Sequence, residues 1–140
     1  MRIPGLQMAP VPDSPGVGVV ALSGPIDAGN VRALQVLLSA SEGRAFRTVI
    51  LDLEQVRYIN SMGMSYLVNL SDLLETRGGA LCLANPQPKV KVVLEMMGLT
   101  ELFKLHSSVS SAVRAIRRGT RPAGSEPRGR IGRTKFSAAP

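Results

Sequence analysis

The stretch VILDLEQVRYINSMGMSYLVNL, residues 49–70, passes from a strand pattern to a helix pattern and thereby decides the fold. RTVILDL, residues 47–53, is a nearly continuous apolar run, which is typical of a strand covered on both faces of its sheet. The more polar EQVRYIN, residues 54–60, predicts a connecting loop. Over residues 62–77, apolar side chains recur at spacings of three and four, which predicts a helix. Its predicted inward stripe comprises Gly63, Tyr66, Leu67, Leu70, Leu73 and Leu74.

The residues before this stretch predict two strands and a helix. LQMAPV, residues 6–11, is a candidate strand at the edge of the sheet, where its proline is tolerated. VGVVALSG, residues 17–24, is rich in β-branched residues and ends at a glycine and a proline, so it predicts a strand followed by a turn. A helix is predicted over residues 28–42, with Asp27 as its N-cap, because apolar residues recur there at helical spacing.

The residues after it predict two further pairs of a strand and a helix. ALCLA, residues 80–84, is a short buried strand, and Asn85-Pro86 then begins a helix that Gly98 ends. A strand over residues 103–105 and a helix over residues 108–118 complete the pattern. The predicted inward side chains are Val90, Val93, Leu94 and Met97 in the first helix, and Val109, Ala112, Val113 and Ile116 in the second.

This alternation of strands and helices predicts an α/β fold. The connections between successive parallel strands are right-handed crossovers, which place the strands in one sheet with helices packed on it. We therefore expect a single domain over residues 1–118, with a mostly parallel central sheet of four to five strands and about four helices.

The net charge of +7 is concentrated near the end of the sequence. Residues 1–118 carry 12 Lys or Arg and 9 Asp or Glu, whereas residues 119–140 carry 5 and 1. The latter segment is rich in Gly, Pro, Arg and Ser, so it buries too little apolar surface to offset the entropy of ordering. We predict a disordered basic tail that contacts nucleic acid at most non-specifically.

The composition excludes several classes of protein. Aromatic residues make up 4% of the chain and tryptophan is absent, which argues against a stacking platform for single-stranded nucleic acid. Cys82 is the single cysteine and lies in an apolar run, so we expect it to be buried and expect no disulfide or cysteine-rich metal site. No apolar run reaches the ~18 residues of a membrane span, and the first residues lack the apolar centre of a signal peptide. These features predict a cytoplasmic protein with no integral membrane segment.

The side chains that could carry out catalysis are few and scattered. His106 is the single histidine, and Asp52 and Glu54 form the one close pair of acids, at the end of a predicted strand where a turn or capping role is expected. A phosphate-binding loop is absent, and the Gly-Val-Gly of residues 16–18 precedes a strand, so it does not match a dinucleotide fingerprint. The sequence therefore predicts a non-enzymatic protein with no cofactor and no metal.

Asn60 and Ser61 lie where the first turn of a helix exposes unpaired backbone N–H groups. Such a position favours negative charge by ~0.3 to 1 kcal/mol, so a phosphate on Ser61 would be tolerated there. Alternatively, Asn60 or Ser61 only caps the helix, which contributes ~1 kcal/mol. The spacing allows both roles.

Met62, Met64 and Val68 are candidate contact residues for a protein partner. With the predicted stripe facing inward, Met64 and Val68 fall on the outer side of the helix, one turn apart and next to Ser61 and Ser65. Methionine adapts its shape readily, so it suits an interface that must fit a partner.

Three blocks of the sequence resemble the STAS domain of bacterial anti-sigma factor antagonists. They are LSGPIDAGNVRAL, VILDLEQVRYINSMGMSYLVNL and RGGALCLANPQPKVKVVLEMMGLTELF, and the resemblance covers about residues 17–116. The matching positions are Gly24 and Asp27 in the turn after the family's second strand, Asp52-Leu53 at the end of its central strand, Asn60-Ser61-Met62-Gly63 in its Asp-Ser-Ser/Thr-Gly phosphorylation loop, and Gly98-Leu99 in its late Gly-Leu pair.

The resemblance implies a partner switch that regulates transcription. In that family, the unphosphorylated antagonist binds an anti-sigma factor, which is also a serine kinase of the histidine-kinase ATPase fold, and so frees a sigma factor. The kinase phosphorylates the loop hydroxyl, and a metal-dependent serine phosphatase removes the phosphate. Added negative charge on a surface that must lose water on docking opposes binding.

The loop departs from the family pattern at two positions. The usual acceptor is the second hydroxyl, where this sequence has Met62, and Asn60 replaces the preceding acid. Either Ser61 accepts the phosphate, or the protein is a constitutive antagonist or scaffold that this loop cannot switch off. The partner-binding residues that we expect are Asp27, Asn60, Met62, Gly63, Met64, Ser65 and Val68; Asp27 is expected beside the loop from the resemblance, if phosphorylation occurs.

Two other functions remain compatible with the sequence. One is that of an accessory STAS domain, without phosphorylation, in a lipid-transport ATPase or a sensory scaffold. The other is that of a nucleic-acid-binding protein that acts through the basic tail.

Overall fold

The computed structural model describes residues 5–39, 46–100 and 102–118. The predicted tail over residues 119–140 and the predicted end of the first helix at residues 40–42 lie outside the described residues. The elements within them are β1 Leu6–Pro10, β2 Val17–Ile26, α1 Ala28–Ser39, β3 Thr48–Ile59, α2 Ser61–Thr76, β4 Leu81–Ala84, α3 Pro88–Met96, β5 Lys104–His106 and α4 Val109–Arg117.

The five strands form one sheet in the order β1-β2-β3-β4-β5. β1 pairs antiparallel with β2, and every other neighbouring pair is parallel. The prediction of an α/β fold with a mostly parallel sheet is therefore confirmed. The edge position predicted for LQMAPV is also confirmed, because β1 has a neighbour on one side only.

The core lies on both faces of the sheet. Successive residues of a strand point to opposite faces, so Val49 and Leu51 join one apolar cluster while Ile50 joins the other. Helices α1, α2 and α3 cover the first face, and α4 contributes Ala112 to the second. Cys82 lies in the second cluster, as predicted, and its burial raises the pKa of the thiol to about 12.

Strand β3 continues through the segment that was predicted to be a loop. The prediction for residues 54–60 is wrong up to Ile59, because β2 also runs beyond its predicted end and keeps pairing with β3 as far as Ile26. Ala21 pairs with Asp52 and Ser23 with Gln55, so β3 has one residue more than β2 over this span. A second extra residue of β3 lies between Val56 and Ile59. These bulges break the alternation of buried and exposed residues, which is why the segment resembles a loop.

The buried stripe of α2 is rotated relative to the predicted one. Its buried residues are Gly63, Met64, Leu67, Leu70, Ser71 and Leu74. The expectation that Met64 lies on the outer side is wrong, since its side chain is only 5% exposed, and Leu73 is exposed instead of inward. Tyr66 is partly buried against the core. Both stripes satisfy helical spacing, and the prediction chose Leu73 over Ser71 because leucine is apolar.

The predictions for the last two helices hold in most details. In α3, Val90 and Leu94 are buried and Val93 is partly buried, but Met97 is exposed, so its predicted inward position is wrong. Met97 is the C-cap residue, beyond the last helical turn that packs on the sheet. The inward residues predicted for α4 all contact the second cluster.

Replacing Met64 and Met62 separately by alanine tests the orientation of α2. We expect Met64→Ala to lower the free energy of unfolding by about 2–5 kcal/mol because it leaves a cavity in the core. Met62→Ala should change it by less than about 0.5 kcal/mol because the Met62 side chain is 54% exposed. Urea denaturation of both variants measures this difference, and equal losses would contradict the described orientation.

Candidate functional site

Asn60 is the single residue between β3 and α2, and hydrogen bonds fix it on both sides. Its side-chain Oδ1 accepts from the backbone N–H of Gly63 at 2.7 Å, and its carbonyl accepts from the N–H of Met64 at 3.0 Å. Its own N–H donates to the carbonyl of Ile26 at 3.2 Å. Asn60 is therefore the N-cap of α2, and Ser61 is the first helical residue.

Gly63 brings the start of α2 against the end of β2. A Cβ on this residue would lie 2.3 Å from the carbonyl oxygen of Ile26, a separation that no side chain can occupy. Gly63 is buried, so it positions the start of the helix and does not itself present a side chain to a partner. A larger residue would push α2 away from β2.

The variant Gly63→Ala tests this close approach. Alanine has the higher helix propensity, by ~1 kcal/mol, yet we expect a net loss of stability of about 1–3 kcal/mol because the added methyl group overlaps Ile26. Ser65→Ala is the matched control on the exposed side of the same helix, with an expected change below about 0.5 kcal/mol. Thermal or urea unfolding gives both values, and a Gly63→Ala variant as stable as the parent would refute the contact.

Five exposed residues surround the start of α2, and we call them the helix-entrance surface: Tyr58, Asn60, Ser61, Met62 and Ser65. Tyr58 and Met62 are its two large side chains, 52% and 54% exposed. They flank Asn60 and Ser61 along the chain. Four of the five were candidates from the sequence. Tyr58 was missed because its segment was assigned to a loop, although an aromatic residue two positions before the capping asparagine was a visible signal.

The other sequence candidates lie under or beside this surface. Met64 and Gly63 are buried beneath it, and Val68 is partly buried against the core one turn further along α2. Asp27 immediately precedes α1 and is half-buried. Its neighbour Ile26 contacts both Asn60 and Gly63, so the segment that carries Asp27 runs beside the start of α2.

Ser61 has the accessibility that a modified residue requires. It is exposed, and its carbonyl accepts a hydrogen bond from the Ser65 hydroxyl at 3.2 Å. The first turn of α2 contains no acidic side chain. A helix N-terminus stabilises a nearby anion, so the free protein would tolerate a phosphate on Ser61 without loss of structure.

A second polar region lies where β4 and β5 end beside the middle of β3. Asp52 Oδ1 accepts from the N–H of Glu54 and from Asn85 Nδ2, both at 3.1 Å, and Gln87 Nε2 donates to the Glu54 carbonyl at 2.7 Å. The expectation that Asp52 lies at the end of its strand is wrong, since β3 continues to Ile59, and Asp52 instead hydrogen-bonds to Glu54 and Asn85 beside the first bulge. A cleft of about 400 Å³ opens here, lined by Glu54, Asn85, Pro86, Gln87, Lys91, Leu105, His106 and Ser107. Within the described parts of the chain, no three His, Cys, Asp or Glu side chains are grouped as a metal would require.

The His106 imidazole lines this cleft and is partly buried. Burial, and then the positive charge of Lys104, lowers the pKa of His106 below 6.5. The folded protein therefore binds a proton less readily at this position than the unfolded chain does.

This difference predicts a contribution of His106 to the pH dependence of stability. The unfolded state binds more protons between pH 6.5 and the lower pKa of the folded state, so the free energy of unfolding should fall as the pH drops through this window. His106→Gln should remove that part of the decline while leaving the titration of carboxylates unchanged. Urea unfolding of both proteins between about pH 7.5 and pH 5 measures it, and parallel pH profiles would contradict the assignment.

The chain belongs to the STAS domain family, whose model matches residues 8–112. Among named relatives, the anti-sigma factor antagonist BtrV of Bordetella bronchiseptica is 28% identical over 102 residues, which cover 73% of this chain and 88% of BtrV. The anti-sigma F factor antagonist of Paenibacillus polymyxa is 23% identical over 99 residues, covering 70% of this chain and 85% of that protein.

Solved structures share the fold. The anti-sigma factor antagonist SpoIIAA in its unphosphorylated form superposes with a TM-score of 0.67 at 24% identity, covering 80% of this chain and 96% of SpoIIAA. The phosphorylated form of SpoIIAA from Bacillus gives 0.61 at 22% identity, with 79% and 98% covered. A sulfate transporter family protein from Wolinella succinogenes gives 0.65 at 23% identity, with 73% and 85% covered. The same fold thus occurs in both antagonists and transporters, so the fold by itself does not determine the function.

Among the described residues, no helix is both long enough and apolar enough to cross a bilayer.

Proposed function

We propose that this protein is an anti-sigma factor antagonist that binds an anti-sigma factor through the helix-entrance surface. The observation that carries the proposal is the exposure of Ser61 and Met62 on a backbone that Asn60 and Gly63 fix against β2. The names of the relatives BtrV and the anti-sigma F factor antagonist support the same function.

The surface has the composition of a docking site. Tyr58 supplies a rigid, partly apolar side chain, and tyrosine is one of the residues that most often dominate binding energy. Met62, four residues further along the chain, adds an adaptable apolar side chain. Asn60, Ser61 and Ser65 supply polar groups at the same place. Because the backbone is already fixed, binding would not need to order a loop, which lowers the entropic cost of association.

Val68 and Asp27 complete the proposed interface at its margins. Val68 lies one turn beyond the entrance, and Asp27 lies on the adjoining segment after β2. Gly63 and Met64, which the sequence also suggested, would act from below the surface by holding its shape.

The proposed partner is an anti-sigma factor that is also a serine kinase of the histidine-kinase ATPase fold. It would transfer the γ-phosphoryl group of ATP to Ser61 Oγ, whose proton leaves with the release of ADP. Met62 stands where the family has its usual acceptor, so Ser61 is the remaining hydroxyl in the loop. A metal-dependent serine phosphatase would hydrolyse the ester and restore the serine. This switch would act in the cytoplasm, where sigma factors meet RNA polymerase, and the antagonist itself would be non-enzymatic.

Phosphorylation would weaken the complex by adding charge to the interface. A phosphoserine carries about −1.5 to −2 charges, and docking would remove water from it. The helix N-terminus stabilises that charge in the free protein, so phosphorylation makes the unbound state more stable relative to the complex.

The pair Ser61→Asp and Ser61→Ala tests the switch. We expect Ser61→Asp to raise the Kd for the cognate anti-sigma factor about 10- to 100-fold, which corresponds to about 1.4–2.8 kcal/mol. Ser61→Ala removes one hydroxyl and adds no charge, so its Kd should stay within a few-fold of the parent value. Isothermal titration calorimetry with the purified ATPase-fold anti-sigma factors of the same organism measures both.

Incubation with ATP adds a second readout. The parent protein should gain one phosphate, mapped to Ser61 by mass spectrometry, and Ser61→Ala should gain none. Equal Kd values for the two variants would reject the switch but leave docking intact. Absence of binding by the parent protein to every such partner would reject the antagonist function itself.

A further inference from the structure

Met62 differs from the neighbouring methionine of α2 in its accessibility. Its side chain is 54% exposed and lies next to Ser61, whereas Met64, two residues on, is 5% exposed. A thioether that solvent reaches can be oxidised, while a buried one is shielded. The helix-entrance surface therefore contains a group that is open to chemical modification without any kinase.

We propose that Met62 is a site of reversible oxidation that weakens docking at the helix-entrance surface. The inference rests on the proposed function, since it concerns regulation of the same interface. It also gives a specific role to the methionine that occupies the position after Ser61, where a second hydroxyl would otherwise lie.

The oxidation requires a peroxide, for which hydrogen peroxide is the simplest case. The Met62 sulfur attacks one peroxide oxygen, the O–O bond breaks, and the oxygen becomes bound to sulfur as a sulfoxide. The second oxygen leaves as water after taking up a proton, so sulfur loses two electrons and the peroxide gains them. Methionine sulfoxide reductases reverse the change with electrons from thiols.

The sulfoxide would oppose docking for a physical reason related to that of a phosphate. Oxidation converts a flexible apolar side chain into a polar one. A polar group that loses its water on docking, without gaining a hydrogen bond from the partner, weakens the complex. The fold of the free protein should not change, because Met62 is exposed and is not a member of either core cluster.

Two further exposed methionines provide an internal comparison. Met96 is 79% exposed and ends α3, and Met97 follows it. Gln87, the N-cap of α3, donates a hydrogen bond to the Glu54 carbonyl, so α3 begins near the carboxyl ends of β4 and β5. Its nine residues extend about 13 Å away from there. Met96 and Met97 therefore lie away from the edge where α2 begins, and their oxidation should not affect docking.

The experiment compares the full-length parent protein with Met62→Leu and with the double variant Met96→Leu/Met97→Leu. Each is treated with hydrogen peroxide, and the oxidised residues are quantified by peptide mass spectrometry. Binding to the purified ATPase-fold anti-sigma factor of the same organism is then measured before and after treatment. Leucine preserves the size and apolar character of methionine but cannot be oxidised.

We expect oxidation of Met62 to be faster than that of Met64 and to raise the Kd of the parent protein about tenfold. The double variant should lose binding to the same extent, and methionine sulfoxide reductase should restore the parent protein. The Kd of Met62→Leu after treatment should equal its own Kd before treatment, whatever that untreated value is. The proposal is overturned if oxidised parent protein binds as before, or if Met62→Leu loses binding equally. Absence of binding before any treatment would overturn the antagonist function and this inference with it. Binding by the untreated parent protein that oxidation leaves unchanged would overturn this inference alone.

Discussion

The backbone of Ile26 holds together the end of the molecule that carries the candidate site. Its carbonyl accepts the N–H of Asn60, and the same oxygen lies so close to Gly63 that no side chain fits between them. Two adjacent strands and the following helix are thus joined at one peptide group. Because the contact uses backbone atoms and the absence of a side chain, Ser61 and Met62 are free to vary in chemistry while their positions stay fixed.

Much of the architecture was predictable from apolar patterns alone. The central parallel strands contain continuous apolar runs such as the one ending at Ala84, and each helix shows apolar residues at spacings of three and four. The end of β3 was not predictable in this way. Two bulges there remove the alternation that identifies a strand, and its stability comes from pairing with β2, which is distant in sequence.

The sequence placed the candidate residues at the start of α2 but did not separate the exposed ones from the buried ones. The Asn-Ser-Met-Gly motif marks the start of α2, and its serine and first methionine are indeed exposed. The inward position of Met64 could not be derived, because the choice between it and Leu73 depends on how the helix is rotated on the sheet. Tyr58 belongs to the exposed surface because β3 continues to Ile59, which the sequence pattern does not indicate.

The two bulges of β3 also bear on how insertions and deletions would be tolerated here. Each gives β3 one residue more than β2 over the same span, so between Asp52 and Ile59 the chain holds two residues beyond an even ladder. Losing one of them would move every later side chain back by one position, so that Asn60 would replace Ile59 at a buried position. The spacing between the sheet centre and the capping asparagine is therefore under tighter geometric constraint than the identity of the residues that fill it.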